Sequence, residues 1–289
     1  MDFPDRIESG MQRALRFATA NGCPPILAKA LRHAVFPGGA RIRPRLCLAV
    51  AAACGDGEPS VADAAATAIE LLHCASLVHD DMPCFDNAMM RRGRASVHAE
   101  FGEQIALLAG DGLIVTAFET IARETLQRPD LTGPIIATIA KSVGAPYGLV
   151  AGQAWESEPE INIAIYHRAK TASLFSGAVS TGAIASGGNP LDWLGLADAL
   201  GAAYQVADDL YDAVGQDDGV GKPAGQDGRN AKPNIVATLG LDAALQRLKN
   251  LVGEAVDCVP DCPGAEAFRT MIRQEATRLM PKTLATSAA

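Results

Sequence analysis

The stretch EPSVADAAATAIELLHCASLVHDD, residues 58–81, decides the fold. It is a long segment rich in alanine and leucine, both strong helix formers, and Ser60 with Asp63 resembles a capping box at its start. It ends in two acids, Asp80 and Asp81, and Pro83 then disfavours helical backbone at Met82, so that Asp86 can swing back toward Asp80. A second stretch of the same kind, NPLDWLGLADALGAAYQVADDLYD, covers residues 189–212. Asn189 is its expected N-cap, Pro190 takes the first helical position, and no breaker follows before Asp212. Both helices therefore deliver carboxylates at their ends.

Working outward, helical signals cover residues 104–126, 131–151 and 161–186, with two more near 240–256 and 264–280. No run alternates with the two-residue period of an exposed strand, and no linker or internal repeat divides the chain. The expectation is a single all-α domain over residues 1–289. Composition agrees, because 48% hydrophobic residues with only 5% aromatics favour closely packed helices over a β-sandwich. Residues 213–234, AVGQDDGVGKPAGQDGRNAKPN, are the one long irregular stretch, either a functional lid or a surface connection.

The net charge of −8 opposes binding to nucleic acid or to an anionic membrane surface. The N-terminal residues lack a secretory signal, and the apolar run Leu46–Cys54 falls well short of the ~20 residues that span a bilayer, so a protein without membrane insertion is expected. Seven cysteines with no CxxC pair suit a reducing cytoplasm. Cys258 and Cys262 lie four apart, but no further ligands follow at zinc spacing.

The acids carry the chemistry. Asp208 and Asp212 stand about 40° apart around a helix axis, so both carboxylates face one way and a cation would relieve their repulsion. Oxygen ligands of this kind suit Mg²⁺. One such motif is compatible with a solvated helix face. Two, separated by more than a hundred residues, suggest a shared cavity.

Cations accompany both sets: Arg91 and Arg92 follow the first, while Lys170 with Thr171, Lys222 and Lys232 flank the second. Arginine forks match diphosphate oxygens, and lysines supply point charges. Upstream, FPGGARIRPRL places Arg41 and Arg43 after a Gly-Gly turn, and His73 lies two helical turns before Asp80 on the same face. A P-loop is excluded around Gly221-Lys222, because Gln216 stands at the first glycine position and Pro223 replaces the Ser or Thr. His33 with His79-Asp80 offers a metal phosphohydrolase reading, but it leaves DDLYD unexplained.

Together these residues resemble the trans-isoprenyl diphosphate synthase family, over roughly Leu27 to Leu239, with bacterial geranylgeranyl diphosphate synthases the nearest likeness. The resemblance implies an all-α barrel of long helices around a deep cavity, usually a homodimer. It implies Mg²⁺ as cofactor, three ions per site, held by Asp80, Asp86 and Asp208 with Asp81, Asp209 and Asp212 in support. Lys170, Thr171 and Gln205 are the implied catalytic residues, with Arg91, Lys222 and Lys232 around the allylic diphosphate. Arg43, His73 and Arg92 match the isopentenyl diphosphate site, with Arg41 a further candidate. One departure stands out: the family reads GGKRxRP, and here Ala40 replaces the lysine.

The implied reaction is ionisation of an allylic diphosphate, attack by isopentenyl diphosphate, and proton loss. Ala75 and Ser76 occupy the positions where related farnesyl synthases carry a bulky aromatic, so an open tunnel and a twenty-carbon product are expected. A farnesyl diphosphate synthase is the alternative. A class I terpene cyclase and a noncatalytic subunit of a heteromeric synthase are more remote.

Overall fold

The computed structural model describes residues 2–214 and 234–278, and over these the chain is almost entirely helical. The helices are α1 (Phe3–Ala18), α2 (Pro25–Val35), α3 (Ile42–Ala53), α4 (Pro59–Asp80), α5 (Val97–Phe101), α6 (Glu103–Glu124), α7 (Pro129–Val143), α8 (Leu149–Trp155), α9 (Ile163–His167), α10 (Ser173–Ala185), α11 (Leu194–Val214), α12 (Ile235–Leu239), α13 (Leu241–Asp257) and α14 (Ala265–Arg278). A hairpin of β1 (Met90–Arg91) with β2 (Arg94–Ala95) adds a strand pair that sequence periodicity did not signal. Two residues are too few to show an alternation.

α4 and α10 form the centre. α4 packs against α1, α3, α6 and α10, and α10 also touches α7 and α11. Small side chains allow this: a Cβ at Gly182 of α10 would lie 2.3 Å from the Cys47 carbonyl oxygen of α3, so only glycine lets the two helices approach. A second cluster, built from Ala203, Val206, Leu210, Leu248 and Leu251, joins α11 to α13. By length and composition α4 and α6 could each cross a bilayer, yet 78% of the apolar stretch of α4 is buried within the protein against 44% for α6. α6 thus keeps an outward apolar face.

Three local expectations change. The capping box gives way to Pro59 at the first helical position, which places Ser60 inside the first turn, while Asp63 accepts a 2.7 Å hydrogen bond from Arg6 Nε. The helix expected over 131–151 stops at Val143, because the chain turns through Gly144, Pro146 and Gly148 before α8 begins. The helix over 161–186 is interrupted by a π-turn at Arg168–Ala172.

One guanidinium ties the N-terminal half together. Arg41, in the left-handed region at φ 52°, sits at the start of α3. Its Nε donates to Glu8 of α1 (2.9 Å), Nη1 to Glu70 of α4 (2.7 Å), and Nη2 to the Val35 carbonyl at the end of α2 (2.9 Å). A Cβ at Gly38 would stand 2.2 Å from this guanidinium, so the first glycine of the Gly-Gly turn is needed for clearance. Burial opposes the charge, but Glu70 and Glu8 outweigh it and hold Arg41 above the ordinary arginine range. Breaking such a pair from one side strands the other charge. Arg41→Met should therefore destabilise the fold by about 3–5 kcal/mol in denaturant titration, since Glu70 would be left buried without its cation; a loss below ~1 kcal/mol would contradict this, being in the range of an exposed pair.

Candidate active site

The ends of α4 and α11 place the acids where the sequence put them, and their local geometry separates two roles. Beyond Asp80 the chain folds back, with the Asp86 amide donating to the Asp80 carbonyl and the Ala88 amide to the Asp81 carbonyl, both at 3.0 Å. Asp86 is thereby brought next to Asp80, as Pro83 suggested. Asp81 is buried, and its carboxylate holds Arg91, whose Nε lies 3.0 and 3.1 Å from the two oxygens. On α11, Asp208 and Asp212 are half-buried one turn apart. Asp209 is buried and accepts from Gln205 Nε2 (3.1 Å) and from the Ile235 amide (2.7 Å) at the start of α12. In each pair, then, the second aspartate orients protein groups. Of the first members, Asp80 stands beside the site's cations, 3.7 Å from Lys170 and 4.0 Å from Arg91.

A single turn connects the two motifs. Residues Arg168–Ala172 wind as a π-helix, in which the Ser173 amide reaches back to the Arg168 carbonyl. Inserting a residue this way disturbs the regular ladder and re-aims side chains, and such turns are frequent at functional sites. Here Lys170 points to Asp80 at the end of α4, while Thr171 Oγ1 donates to Gln205 Oε1 on α11 at 3.3 Å. The three residues expected to work together, Lys170, Thr171 and Gln205, are thus brought to one place. Lys222 and Lys232 lie outside the described residues.

Behind them is a second cationic pocket with a different character. Arg43 stands over the rings of Phe175 (4.9 Å) and Tyr204 (5.8 Å), and its Nη1 donates to His73 Nε2 at 3.4 Å. Its buried Nε has no hydrogen-bond partner among the described residues. Aromatic faces and a neutral imidazole orient a guanidinium without neutralising it, so its charge and donors stay available to an anion. His73 is suited to that role, because burial first, then Arg43 and Arg92, push its pKa well below the usual histidine range and keep the ring neutral. Arg92, in the left-handed region at φ 53°, reaches the Gly-Gly turn, its guanidinium 3.0 Å from where a Cβ of Gly39 would be. Ala40 is exposed beside this turn.

The contrast with Arg41 corrects one expectation. Arg41 was a candidate substrate group, but its donors are committed to Glu8, Glu70 and Val35, and its side chain is turned into the core. It supports the first turn of α3, which carries Arg43. The two chain-length candidates also differ: Ala75 is enclosed at 1% exposure, whereas Ser76 is half-buried with its hydroxyl folded onto the His73 carbonyl at 2.8 Å.

Two glutamates escaped the sequence reading. Glu70 had a signal, since a lone acid inside an alanine-rich core helix must find a cation. Glu156 had none, because it lies in the acidic run ESEPE, which reads as solvated charge. Its carboxylate receives Lys170 Nζ and Tyr166 Oη, both at 2.6 Å, and Gln153 Nε2 at 2.9 Å.

The acids offer only oxygen donors, the chemistry of a hard cation. Among the described residues no three acidic, histidine or cysteine side chains converge into a ready-made cage. Carboxylate oxygens suit Mg²⁺, which keeps several waters and is bound by one or two carboxylates together with substrate phosphates.

Comparison with known proteins agrees with this geometry. The chain is 48% identical over 285 residues to a geranylgeranyl diphosphate synthase of Cereibacter sphaeroides, covering 99% of both chains. It is 46% identical over 280 residues to the synthase of the same name in Rhodobacter capsulatus, covering 97% of each. Its structure superimposes with a TM-score of 0.79 on a geranyltransferase of Helicobacter pylori complexed with magnesium and isoprenyl diphosphate, at 28% identity over 96% of this chain and 98% of that one. Since the family model for polyprenyl synthetases matches residues 24–268, a range that contains the paired acids, the π-turn and the Arg43 pocket, this chain belongs to the polyprenyl synthetase family.

Proposed function

We propose that the protein condenses isopentenyl diphosphate with an allylic diphosphate head to tail, releasing diphosphate, with geranylgeranyl diphosphate as main product. The observation that carries this is the π-turn at Arg168–Ala172, which brings Lys170 to the first acidic motif and Thr171 to the helix of the second, next to a separate pocket whose arginine is held by aromatic rings and a histidine. Two diphosphates need two cationic sites. One suffices for a cyclase.

In this reading Asp80, Asp86, Asp208 and Asp212 hold Mg²⁺ ions, three per site, which when bound neutralise the charge that develops on the leaving diphosphate. Arg91, fixed by Asp81, and Lys170 supply permanent positive charge to the same group. Thr171 and Gln205, hydrogen-bonded to each other at 3.3 Å, would present their oxygen dipoles to the allylic cation. Arg43, Arg92 and neutral His73 hold isopentenyl diphosphate so that its double bond meets the cation, replacing a bimolecular encounter by proximity. The departing diphosphate takes the proton.

Dimerisation through α6 accompanies this activity in our reading. Leu107, Leu108 and Val115 are 47%, 52% and 68% exposed on α6, an apolar patch interrupted by Asp111 that a second copy would cover. The seven free cysteines support a reducing, cytoplasmic setting, and the full chain is read as one polyprenyl synthetase domain.

Incubating the purified protein with Mg²⁺, isopentenyl diphosphate and each allylic starter should yield a twenty-carbon diphosphate. Hydrocarbon would reveal a cyclase, no product a noncatalytic subunit, and a fifteen-carbon main product a farnesyl synthase. Because Ser76 has accessible surface and Ala75 does not, Ser76→Phe should shorten the product, whereas Ala75→Phe should cost about 1–3 kcal/mol through overpacking; an unchanged Ser76→Phe product spectrum refutes the tunnel assignment. Ala40→Lys should lower KM for isopentenyl diphosphate by roughly tenfold, the equivalent of one charge-assisted hydrogen bond of ~1.5 kcal/mol, and an unchanged KM would refute the idea that Ala40 weakens this site. Light scattering should give twice the 30.0 kDa chain mass, and Leu108→Glu with Val115→Glu should give the monomer; a wild-type monomer ends the dimer reading.

A further inference from the structure

The structure assigns Glu156 as a positioning residue that keeps Lys170 off the metal-binding carboxylate of Asp80. This rests on the reading of Asp80 as a ligand of the Mg²⁺ site and of Lys170 as its cationic neighbour. Lys170 Nζ lies between two carboxylates, 2.6 Å from Glu156 Oε1 and 3.7 Å from Asp80 Oδ1. The first distance is a full charge-assisted hydrogen bond; the second is an ion pair without one. The ammonium is therefore held one short step from Asp80.

What holds it there is built into the loop after α8. Glu156 follows directly on the last helical residue, Trp155, and among the described residues Gln153, Tyr166 and Lys170 donate to its carboxylate. Tyr166 is itself buried at 8% exposure, with its ring 6.0 Å from the ammonium, so the phenol fixes the Glu156 side while the ring walls the lysine. A Cβ at Gly152 would stand 2.4 Å from the Lys170 amide nitrogen, so α8 and the π-turn are pressed together along their backbones. This arrangement sets the Glu156–Lys170 distance by packing rather than by chance encounter of two flexible side chains.

The consequence is electrostatic. A lysine released by Glu156 has Asp80 as its neighbouring acid and would close the 3.7 Å gap, forming a hydrogen-bonded pair that competes with a divalent cation for the same oxygens. Glu156 thus keeps the lysine charge close enough to serve a diphosphate while holding the ammonium out of hydrogen-bond range of Asp80. The neighbouring acid also lessens the net positive charge that an incoming cation meets.

The test measures metal binding directly, with Mn²⁺ as a paramagnetic probe and inorganic diphosphate supplying the phosphate oxygens that complete the site, followed by electron spin resonance of the protein-bound ion. Glu156→Gln keeps the size of the side chain and should weaken Mn²⁺ binding roughly tenfold, the equivalent of one new charge-assisted hydrogen bond on Asp80 at ~1.4 kcal/mol per tenfold. Lys170→Met alone should shift binding by no more than about twofold, whereas adding it to Glu156→Gln should restore binding to within about twofold of wild type, because the competitor is gone; such non-additivity is the signature of a direct coupling. If Glu156 were itself a metal ligand, the double variant would bind as weakly as Glu156→Gln, and the proposal would fail. It fails equally if Glu156→Gln binds Mn²⁺ like wild type with its melting temperature unchanged. Should Glu156→Gln melt early, Tyr166→Phe, which removes one donor to Glu156 and leaves the ring, is expected to weaken binding in the same direction by a smaller factor, and no effect there also counts against the clamp. Elongation activity of the wild-type enzyme is scored separately, so failure of the functional reading and failure of the clamp give different results.

Discussion

Everything in this site depends on bringing like charges together. Asp80, Asp81 and Asp86 end one helix, and Asp208, Asp209 and Asp212 end another, and a fold that assembled six carboxylates around one cavity without compensation would be self-repulsive. The structure resolves this by dividing the labour. Asp81 is tied to Arg91, and Asp209 to Gln205 and the Ile235 amide, so the second member of each pair builds scaffold. In our reading the divalent cation falls to the remaining acids. The cations that balance them are themselves held by other groups, Lys170 by Glu156 above all.

The same logic distinguishes the two arginines of the GGARIRP turn. A guanidinium with two carboxylates and a carbonyl is a strut, and Arg41 ties α1, α2, α3 and α4 together in that role. A guanidinium held by aromatic rings and a neutral imidazole retains its charge for a ligand, and Arg43 is placed that way. The two are separated by a single residue in sequence and belong to different parts of the energetics. Tyr204, one turn before Asp208, also gives the Arg43 pocket a direct contact with the helix of the second acidic motif.

Helical periodicity and propensity made the architecture legible. α4, α6, α11 and α13 fall close to where alanine, leucine and the N-cap signals placed them, because those signals act within a turn or two of the chain. Failures occurred where tertiary contacts decide. Asp63 belongs to Arg6 rather than to a capping box, and the chain leaves its expected helix after Val143 at a cluster of glycine and proline. The π-turn at Arg168–Ala172 carries no sequence mark at all, since RAKTA is ordinary helical sequence. Its winding reflects what Lys170 and Thr171 must reach.

By itself the sequence determined the all-α class, the two acidic helix ends, the membership implied by their order, and the identity of nearly every charged group in the site. These are local or compositional properties, and they survive without knowledge of neighbours. Only the tertiary structure decided which of those groups are paired with each other and which partners they take. Arg41 and Arg43, Asp80 and Asp81, Ala75 and Ser76 are pairs that a sequence reading treats nearly alike, yet a step of one or two residues gives the two members different burial or different partners. Burial and the partner at the end of the side chain settle the role, and both come from parts of the chain that are distant in sequence, as Glu70 is from Arg41 and Glu156 from Lys170.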